Sequence, residues 1–507
     1  MKDSSRIAQN FIWTGISVMI STTISFLLTP YVTSQLGIEA NGFVSLANTC
    51  ITYIDIITIA INAFAARFIA IEYHNERFEE ANSYYSSVVI ANLILSVILD
   101  AVGFAIISRL ETMLNISDYM IGDVKALFLF VLINYTIGIV GTTFTVVAFI
   151  KNRISITYRN TGLSKLIYVA VLIALIYLYH IHVYSMAIAS CFATCSLIFL
   201  NCFYTKGLAP ELKVRFRNFS IDKIKRLVSS GIWNSINNIG NLLNSGLDLL
   251  VCNKLLSELI TGQVSIGKQI AIMMTTFTGI AVNAFQPKQL ELYAKRDIGG
   301  LANCLRMSMR FTGTIGNIFF ACFIALGYPF LNLWIPGQNI SKIYALTVII
   351  MIGDVLVSAV RPLYYVFTLT DRLKSVCWIT ICSGIMNIVS MIVLLKYTHL
   401  EGYAVVGTTM ILNLVVQFWA APYFAKRYLK FKHNPFMPVV VRHILVCFMA
   451  TFILYMIFRM IRIESWFGFM LSGLVAVVIC TGIVVVLELD TADKKQIMGV
   501  IEERIQR

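Results

Sequence analysis

The sequence predicts an all-α membrane protein that crosses the bilayer about 14 times. Of the 507 residues, 58% are hydrophobic and only 13% are charged, whereas soluble domains carry about 25% charged residues. Long apolar segments recur along the whole chain, and short polar or basic segments separate them. This composition excludes a soluble enzyme, a disordered chain and a secreted domain held together by disulfides.

Each apolar segment is long enough for a helix that crosses the hydrocarbon layer, which takes ~20 residues. We place the spans at 10–34, 42–69, 83–108, 122–150, 163–181, 183–204, 227–252, 263–287, 307–333, 343–369, 375–396, 403–424, 437–459 and 466–488. The apolar run that begins at Phe11 is too long for a signal peptide and no cleavage site follows it, so we expect a retained first helix.

Positive charges predict the orientation of the spans. Lys and Arg are concentrated before the first span and in alternate connections, as at Lys2, Arg6, Lys151, Arg153, Lys213, Arg215, Arg217, Lys295, Lys426 and Arg427. Such segments face the cytosol, so both termini are predicted to be cytosolic. The net charge of +14 reflects this bias and gives no reason to expect nucleic acid as a partner.

No cofactor or metal site is evident in the sequence. The 11 cysteines and six histidines show neither disulfide nor metal-ligand spacing. There is no phosphate-binding loop, so direct use of ATP is not expected.

Each half of the chain begins with the same helical hairpin. A shift of 220 residues, with one residue inserted later, aligns residues of like type. The aligned segments are Ile12-Trp13 with Ile232-Trp233, Gly42 to Ser45 with Gly262 to Ser265, Asn62 to Phe64 with Asn283 to Phe285, and Arg67 with Lys288. Six predicted spans separate the copies, so the repeat is parallel, with an axis along the membrane normal.

The repeat predicts the domain organisation. We expect an N-terminal six-helix bundle at 1–205, a basic cytosolic linker at 206–226, a C-terminal six-helix bundle at 227–424, two additional transmembrane helices at 437–488 and a cytosolic amphipathic tail at 489–507. Two such bundles would enclose a central cavity, and rocking of one against the other would give alternating access.

One face of the seventh span is polar along its length. Its members are Asn234, Asn237, Asn238, Asn241, Asn244, Ser245 and Asp248. The first span carries a matching face with Thr14, Ser17, Ser21, Ser25 and Thr29. Such a face either lines water or holds helices together. We favour the lining of a cavity because the face is long, occurs in both halves and ends in an acid.

Ionisable residues inside a membrane are functional candidates. Asp55, Lys268, Asp354 and Arg361 lie within predicted spans. Asp354 and Arg361 are about 10 Å apart along a helix, so we expect them to line one surface without bonding directly. The structural alternative is that the two acids merely neutralise the two cations.

Three further cations, Arg67, Lys288 and Arg310, lie near the predicted cytosolic ends of helices. Their structural alternative is that the side chains extend to the lipid headgroups.

Several motifs resemble those of the Wzx-type polysaccharide repeat-unit flippases. They are Asn10-Phe11-Ile12-Trp13, Leu27 to Val32, Leu36 to Gly42 and Ala63 to Arg67. That family belongs to a superfamily with the MATE-type multidrug extruders and the lipid II flippases. The resemblance implies a V-shaped MATE-like transporter and not an enzyme.

The resemblance also implies the cargo and its route. An undecaprenyl-diphosphate-linked oligosaccharide would move from the inner to the outer leaflet of a bacterial cytoplasmic membrane, for O-antigen, capsule or exopolysaccharide synthesis. Its prenyl tail would stay in lipid or near the last two helices. A proton or sodium gradient would drive the movement, and polysaccharide polymerase and chain-length proteins are implied as partners.

These expectations give each candidate residue a role. Arg67, Lys268, Arg310 and Arg361, with Lys288 as a further candidate, would bind the diphosphate, since Arg and Lys pair with phosphate oxygens. Asn234, Asn237, Asn241 and Asn244 would contact sugar, and Asp55, Asp248 and Asp354 would couple transport to the ion.

Alternative functions remain open at this point. A MATE-type multidrug or cation antiporter would need an acidic, apolar pocket, and a lipid II flippase would use the same architecture. A non-transporting scaffold would not need a polar face inside the membrane. A membrane glycosyltransferase would need a large outer loop or an acidic metal-binding motif, and the sequence has neither.

Overall fold

The computed structural model describes residues 2–151, 153–179, 181–370, 372–488 and 490. The predicted amphipathic tail at 489–507 lies outside the described residues except for Asp490. The helices are α1 (Lys2–Asn62), α2 (Ala65–His74), α3 (Phe78–Ser108), α4 (Leu110–Met113), α5 (Ile121–Thr142), α6 (Val146–Ile150), α7 (Ile154–Tyr179), α8 (Ser185–Leu208), α9 (Ile221–Asn241), α10 (Asp248–Leu255), α11 (Glu258–Ala294), α12 (Ile298–Trp334), α13 (Ile340–Ser358), α14 (Tyr364–Leu369), α15 (Leu373–Tyr397), α16 (Gly402–Leu412), α17 (Phe418–Tyr428), α18 (Met437–Phe458) and α19 (Trp466–Glu488).

Short non-α segments join several of these helices. Four are 3₁₀ turns, at Asp118–Met120, Thr143–Thr145, Phe216–Asn218 and Arg361–Leu363, and two are π segments, at Leu242–Gly246 and Asn413–Gln417. Within the described ranges there is no β-strand, which confirms the predicted all-α class.

Eleven helical segments in the described residues are long and apolar enough to cross a membrane. One of them, Gly15–His74, has 60 residues, which is enough for two crossings of ~20 residues each. The α9–α10 segment and α11 are more polar and are not among the eleven. With these two and the divided α1, the helices agree with the predicted 14 spans.

The first two predicted spans form one element, α1, which bends at Gly37. This glycine has φ 85° and ψ 166°, so its backbone is not helical. A side chain would strain the chain at such a positive φ, and glycine tolerates it. The second span ends at Asn62 rather than at the predicted residue 69, and a turn at Ala63 and Phe64 leads into α2.

The first compact unit contains Met1–Leu242 and Leu249–Gly262. In it α1 packs against α5, α7 and α9, and α8 packs against α5 and α7. Gly231 of α9 lies so close to the Ala60 backbone that an added Cβ would collide with the carbonyl oxygen. Ser235, one turn further on, donates a hydrogen bond to the Ile56 carbonyl at 2.8 Å.

The basic segment predicted as a linker is held along α3 within this unit. Asn82 donates to the Glu211 carbonyl at 2.9 Å and accepts from the Lys213 amide at 2.7 Å. Ser86 accepts from the Arg215 amide at 3.0 Å. The connection is therefore a fixed strap, and Lys213 and Arg215 are exposed on its surface.

The second compact unit contains Leu243–Asp248 and Gln263–Arg507. Helix α12 packs against α13, α18 and α19, so the two additional helices pack directly on this unit. A buried apolar cluster at that junction includes Ala321, Val446, Ala450, Ala476 and Val484. The units are defined by proximity in space, and the predicted bundle boundaries, which rest on the repeat, stay predictions.

Candidate functional site

Four charged residues of the second unit form two ion pairs. The Lys268 Nζ of α11 lies 2.7 Å from Asp248 Oδ2 and also donates to the Ser245 carbonyl at 2.6 Å. The Arg361 Nη2 lies 2.9 Å from Asp354 Oδ1. Lys268 also acts electrostatically on Asp354. We name Asp248, Lys268, Asp354 and Arg361 the charge cluster; its two acids balance its two cations.

The direct pair between Asp354 and Arg361 contradicts the prediction that they could not bond. Helix α13 ends at Ser358, and Arg361 begins a 3₁₀ turn. The α-helical rise used for the prediction therefore does not apply over the last residues. The long guanidinium side chain reaches back along α13 and closes the remaining distance.

Burial differs between the two members of the first pair. The Asp248 side chain is 2% exposed and that of Lys268 is 20% exposed. Burial of an ion is costly unless it is paired and hydrogen-bonded, and Asp248 meets this condition with Lys268 and with Thr409, which donates to Oδ1 at 3.3 Å. Asp248 therefore depends on these partners.

An amide and hydroxyl network continues from Asp248 towards α15. Asn387 donates to Thr409 at 3.0 Å and to the Asn244 carbonyl at 2.6 Å. Asn244 in turn donates to the Thr380 carbonyl at 2.7 Å and accepts from Ser383 at 2.7 Å. Both ends of the Asn244 amide thus make hydrogen bonds inside the unit, and the sugar contact predicted for this residue stays a prediction.

The charge cluster lies beside an irregular stretch of helix. Asn244 and Ser245 belong to the π segment Leu242–Gly246, between α9 and α10. π segments are rare and occur often at functional sites. This one gives the Ser245 carbonyl to Lys268, so the irregular backbone takes part in holding the cation.

Two other predicted cations lie outside the charge cluster. Arg310 Nη1 pairs with Asp490 Oδ2 at 2.9 Å, and Asp490 also pairs with Arg442 at 2.6 Å. Burial raises the pKa of Asp490, but the hydrogen bond from Arg442 and the charges of Arg310 and Arg442 lower it more, so that this pKa lies below its ordinary value. Lys288 pairs with Glu291 at 3.0 Å at an exposed position.

The first unit contains the remaining predicted acid, Asp55. Its Oδ1 accepts from Tyr135 and from Thr58, each at 2.9 Å, and these two hydroxyls are also 2.9 Å apart. No cation pairs with Asp55 among the described residues. Asp55 is therefore stabilised by hydroxyl donors alone, unlike the two acids of the charge cluster.

The asparagine face on α9 belongs to the first unit. Asn234 and Asn237 are half-buried and Asn241 is exposed. The Asn237 Oδ1 is buried and has no hydrogen-bond partner in the described part of the chain. Arg67, on α2, is exposed. Side chains of the matching face on α1 are described from Gly15 onward, so the Thr14 side chain lies outside the described set.

The two glycines aligned by the repeat meet in the first unit. A Cβ added to Gly42 would lie 2.8 Å from the Gly262 amide nitrogen, and one added to Gly262 would collide with the Ile38 carbonyl oxygen. This close approach needs glycine at both positions, and the direction of the repeat stays a prediction.

Several site residues were missed by the sequence analysis. Thr409, Asn387 and Ser383 complete the network around Asp248, and Tyr135 holds Asp55. Thr380, Ser383 and Asn387 follow one another at helical spacing on α15, so a search of that helix for a polar face could have found two of these residues. Thr409 and Tyr135 are adjacent to other polar residues and form no such face, so their spacing gave no comparable signal.

The fold itself is that of a known class of membrane transporter. A solved inward-facing MATE multidrug transporter of the MOP superfamily matches with a TM-score of 0.65 and 16% identity, over 83% of this chain and 100% of that one. The lipid II flippase MurJ in its inward closed conformation matches with a TM-score of 0.63 and 14% identity, over 94% of this chain and 99% of that one. The predicted MATE-like architecture is confirmed.

The chain belongs to the polysaccharide biosynthesis protein family, whose model matches residues 7–288. A relative from Bacillus subtilis (strain 168), the uncharacterized membrane protein EpsK, is 26% identical over 483 residues, 95% of each chain. The resemblance to polysaccharide flippases of this superfamily is thereby confirmed. The protein is a multi-pass membrane protein.

Proposed function

We propose that this protein is a flippase for undecaprenyl-diphosphate-linked oligosaccharides, driven by an ion gradient across a bacterial cytoplasmic membrane. The observation that carries the proposal is the charge cluster: two cations in the membrane-spanning part of one unit, each held by a carboxylate that can bind a proton. The family match to polysaccharide biosynthesis and the predicted cytosolic termini support the same proposal.

The charge cluster suits an anionic headgroup that must enter and leave. A cation that stays unpaired in a medium of low dielectric is very costly, so Lys268 and Arg361 need counter-ions while no cargo is bound. Asp248 and Asp354 supply them at 2.7 Å and 2.9 Å. A diphosphate offers the same cations oxygen ligands with more negative charge, and it replaces the carboxylates.

A proton on either acid would shift this exchange towards the cargo. The proton forms an O–H bond on the carboxylate, its charge disappears, and the cation loses its counter-ion. In this scheme Asp354 releases Arg361, and Asp248 releases Lys268, when the acid is protonated. Loss of the proton restores each pair and expels the phosphate, which couples release to the gradient. Asp55, held by Tyr135 and Thr58, is the corresponding candidate in the first unit.

The sugar part of the cargo needs neutral hydrogen-bonding groups. We assign this role to Asn234, Asn237 and Asn241 of α9 and to Asn244, and Asn237 has a buried oxygen free to accept from a hydroxyl. Arg67 stays a candidate for the headgroup because its side chain is exposed.

The proposal is tested by locating the lipid-linked repeat unit in a strain that lacks the gene. We expect the repeat unit to accumulate on the cytosolic leaflet and the wild-type gene to restore its passage. No accumulation in the deletion strain would overturn the proposal. Drug resistance on overexpression, without an effect on the repeat unit, would favour the multidrug antiporter.

Variants of single lysines test the site itself. Lys268→Gln removes a charge-assisted contact worth about 1.5–3 kcal/mol, so transport should fall roughly 10- to 100-fold. Lys295→Gln is the matched control, since Lys295 is exposed and pairs with Glu291. Equal activity of the two variants would remove Lys268 from the site.

A further inference from the structure

A second polar site is buried between α12, α13, α18 and α19. His443 of α18 is 0% exposed and Glu488 of α19 is 1% exposed, and His443 Nδ1 lies 2.8 Å from Glu488 Oε1. Asn317 of α12 is also fully buried, and its Nδ2 donates to Glu488 Oε2 at 2.9 Å. The backbone of Gly313 lies against His443 and Glu488, so that an added Cβ would collide with the Glu488 carboxyl group.

The hydrogen bonds of His443 fix where its protons lie. Nε2 is 2.9 Å from the carbonyl oxygen of Val355. A carbonyl only accepts, so Nε2 carries a hydrogen and donates it. Nδ1 faces the side-chain amide nitrogen of Asn317 at 3.1 Å and the Glu488 Oε1 at 2.8 Å. Two lone pairs would repel each other at that distance, so one proton lies between Nδ1 and Oε1.

We propose that His443 and Glu488 form a proton-binding site that loads and releases one proton as the second unit changes conformation, a role that rests on the ion-driven transport proposed above. On release, the N–H or O–H bond breaks, its electron pair stays on that atom, and the proton passes to water. What remains is a neutral imidazole facing a buried carboxylate, an arrangement that is much less stable at this distance.

Charged side chains around Asp490 lie next to the His443–Glu488 pair. Arg310 of α12 and Arg442 of α18 both pair with Asp490, and the charge of Arg306 of α12 also acts on it, so three cations lie around this one acid beside the buried site. A Glu488 carboxylate would be attracted to these cations, since Glu488 lies only two residues before Asp490 in the chain. The Asp490 side chain is 46% exposed, and in this proposal the proton is exchanged with water at this end of the pair.

The remaining titratable groups near the pair lie on α18 and α13. Cys447 lies one turn beyond His443, close enough for the charge of Glu488 to act on its thiol, but a neutral thiol supplies no counter-ion. On α13, Asp354 precedes the Val355 carbonyl that binds His443 and is itself paired with Arg361. The hydrogen bond from His443 to the Val355 carbonyl thus connects the proton site to the residue next to Asp354, and so to the proposed cargo site.

The test is infrared difference spectroscopy of the full-length protein in lipid vesicles, titrated with pH and without cargo. We expect a protonated-carboxyl band that titrates in the wild type and is absent in Glu488→Gln, and a shifted titration in His443→Gln. Glutamine can keep the hydrogen bonds to His443 and Asn317, so Glu488→Gln should fold. Glu464→Gln, an exposed carboxyl between α18 and α19, is the matched control and should leave the band unchanged.

The outcomes separate this proposal from the proposed function. An unchanged band in Glu488→Gln would overturn the proton site, whatever the protein transports. The proposal would also be overturned if the Glu488 band titrates at the same pH in His443→Gln as in the wild type, since the proton would then not be shared with His443. The leaflet assay decides the cargo independently, because the infrared titration contains none.

Discussion

Removal of one member of the Asp248–Lys268 pair should destabilise the protein more when the lysine is lost than when the acid is lost. In Lys268→Met, a 2% exposed carboxylate loses its cation. Breaking a buried pair in this way costs about 3–5 kcal/mol. In Asp248→Asn, the ammonium is 20% exposed and still donates to the Ser245 carbonyl, so we expect a loss at or below about 3 kcal/mol.

The cost of Lys268→Met also has a ceiling that depends on pH. A carboxyl that ionises near pH 3.9 in water takes about 4 kcal/mol to protonate at pH 7, at 1.36 kcal/mol per unit. In the variant, Asp248 can therefore be protonated instead of staying charged, for about 4 kcal/mol of free energy at pH 7. Its destabilisation relative to wild type should therefore shrink as the pH is lowered from 7 to 5, by up to about 1.4 kcal/mol per unit.

The assay is thermal or denaturant unfolding of the full-length protein in one detergent, for both single variants and the double variant. Asp248→Asn with Lys268→Met restores neutrality, so the double variant should recover part of the loss, with a coupling of about 0.5–3 kcal/mol. The reasoning would be refuted if the losses in unfolding free energy of the two single variants add up to that of the double variant. It would also be refuted if the loss in Lys268→Met does not change with pH.

Three further predictions follow from contacts outside the charge cluster. Gly231→Ala should destabilise the protein because the new Cβ collides with the Ala60 carbonyl oxygen. Gly407→Ala is the control: a Cβ there has no atom within 4 Å, so this variant should be neutral or stabilising by about 0.5–1 kcal/mol. Equal unfolding temperatures of the two variants would contradict the packing at Gly231. Asp490→Asn should lower stability at neutral pH. Because the native pKa of Asp490 is depressed, its stabilisation is present above about pH 3.9 and is lost as the pH falls through the native pKa, so wild type and variant should converge in acid in pH-dependent unfolding. Tyr135→Phe removes a hydrogen bond to Asp55 and should cost about 1–3 kcal/mol; an unchanged unfolding temperature would show that Thr58 alone suffices.

The sequence by itself determined the class of the protein and its approximate spans, and it predicted a repeat. Hydropathy and span length are local properties, because lipid requires each crossing segment to satisfy its own backbone as a helix. The alignment of Gly42 with Gly262 needed only residue identities, and these two glycines meet in the structure. The candidates Asp248, Lys268, Asp354 and Arg361 were likewise visible as charges inside apolar segments.

Only the tertiary structure decided which of these charges are partners. The rotation of each helix about its axis and the reach of a side chain depend on packing against other helices, and neither is encoded in spacing alone. The Arg361 pair was predicted wrongly because a regular helix was assumed through a 3₁₀ turn. His443 and Glu488 are 45 residues apart on helices outside the repeat, and only the close approach of α18 and α19 to α12 brings them together.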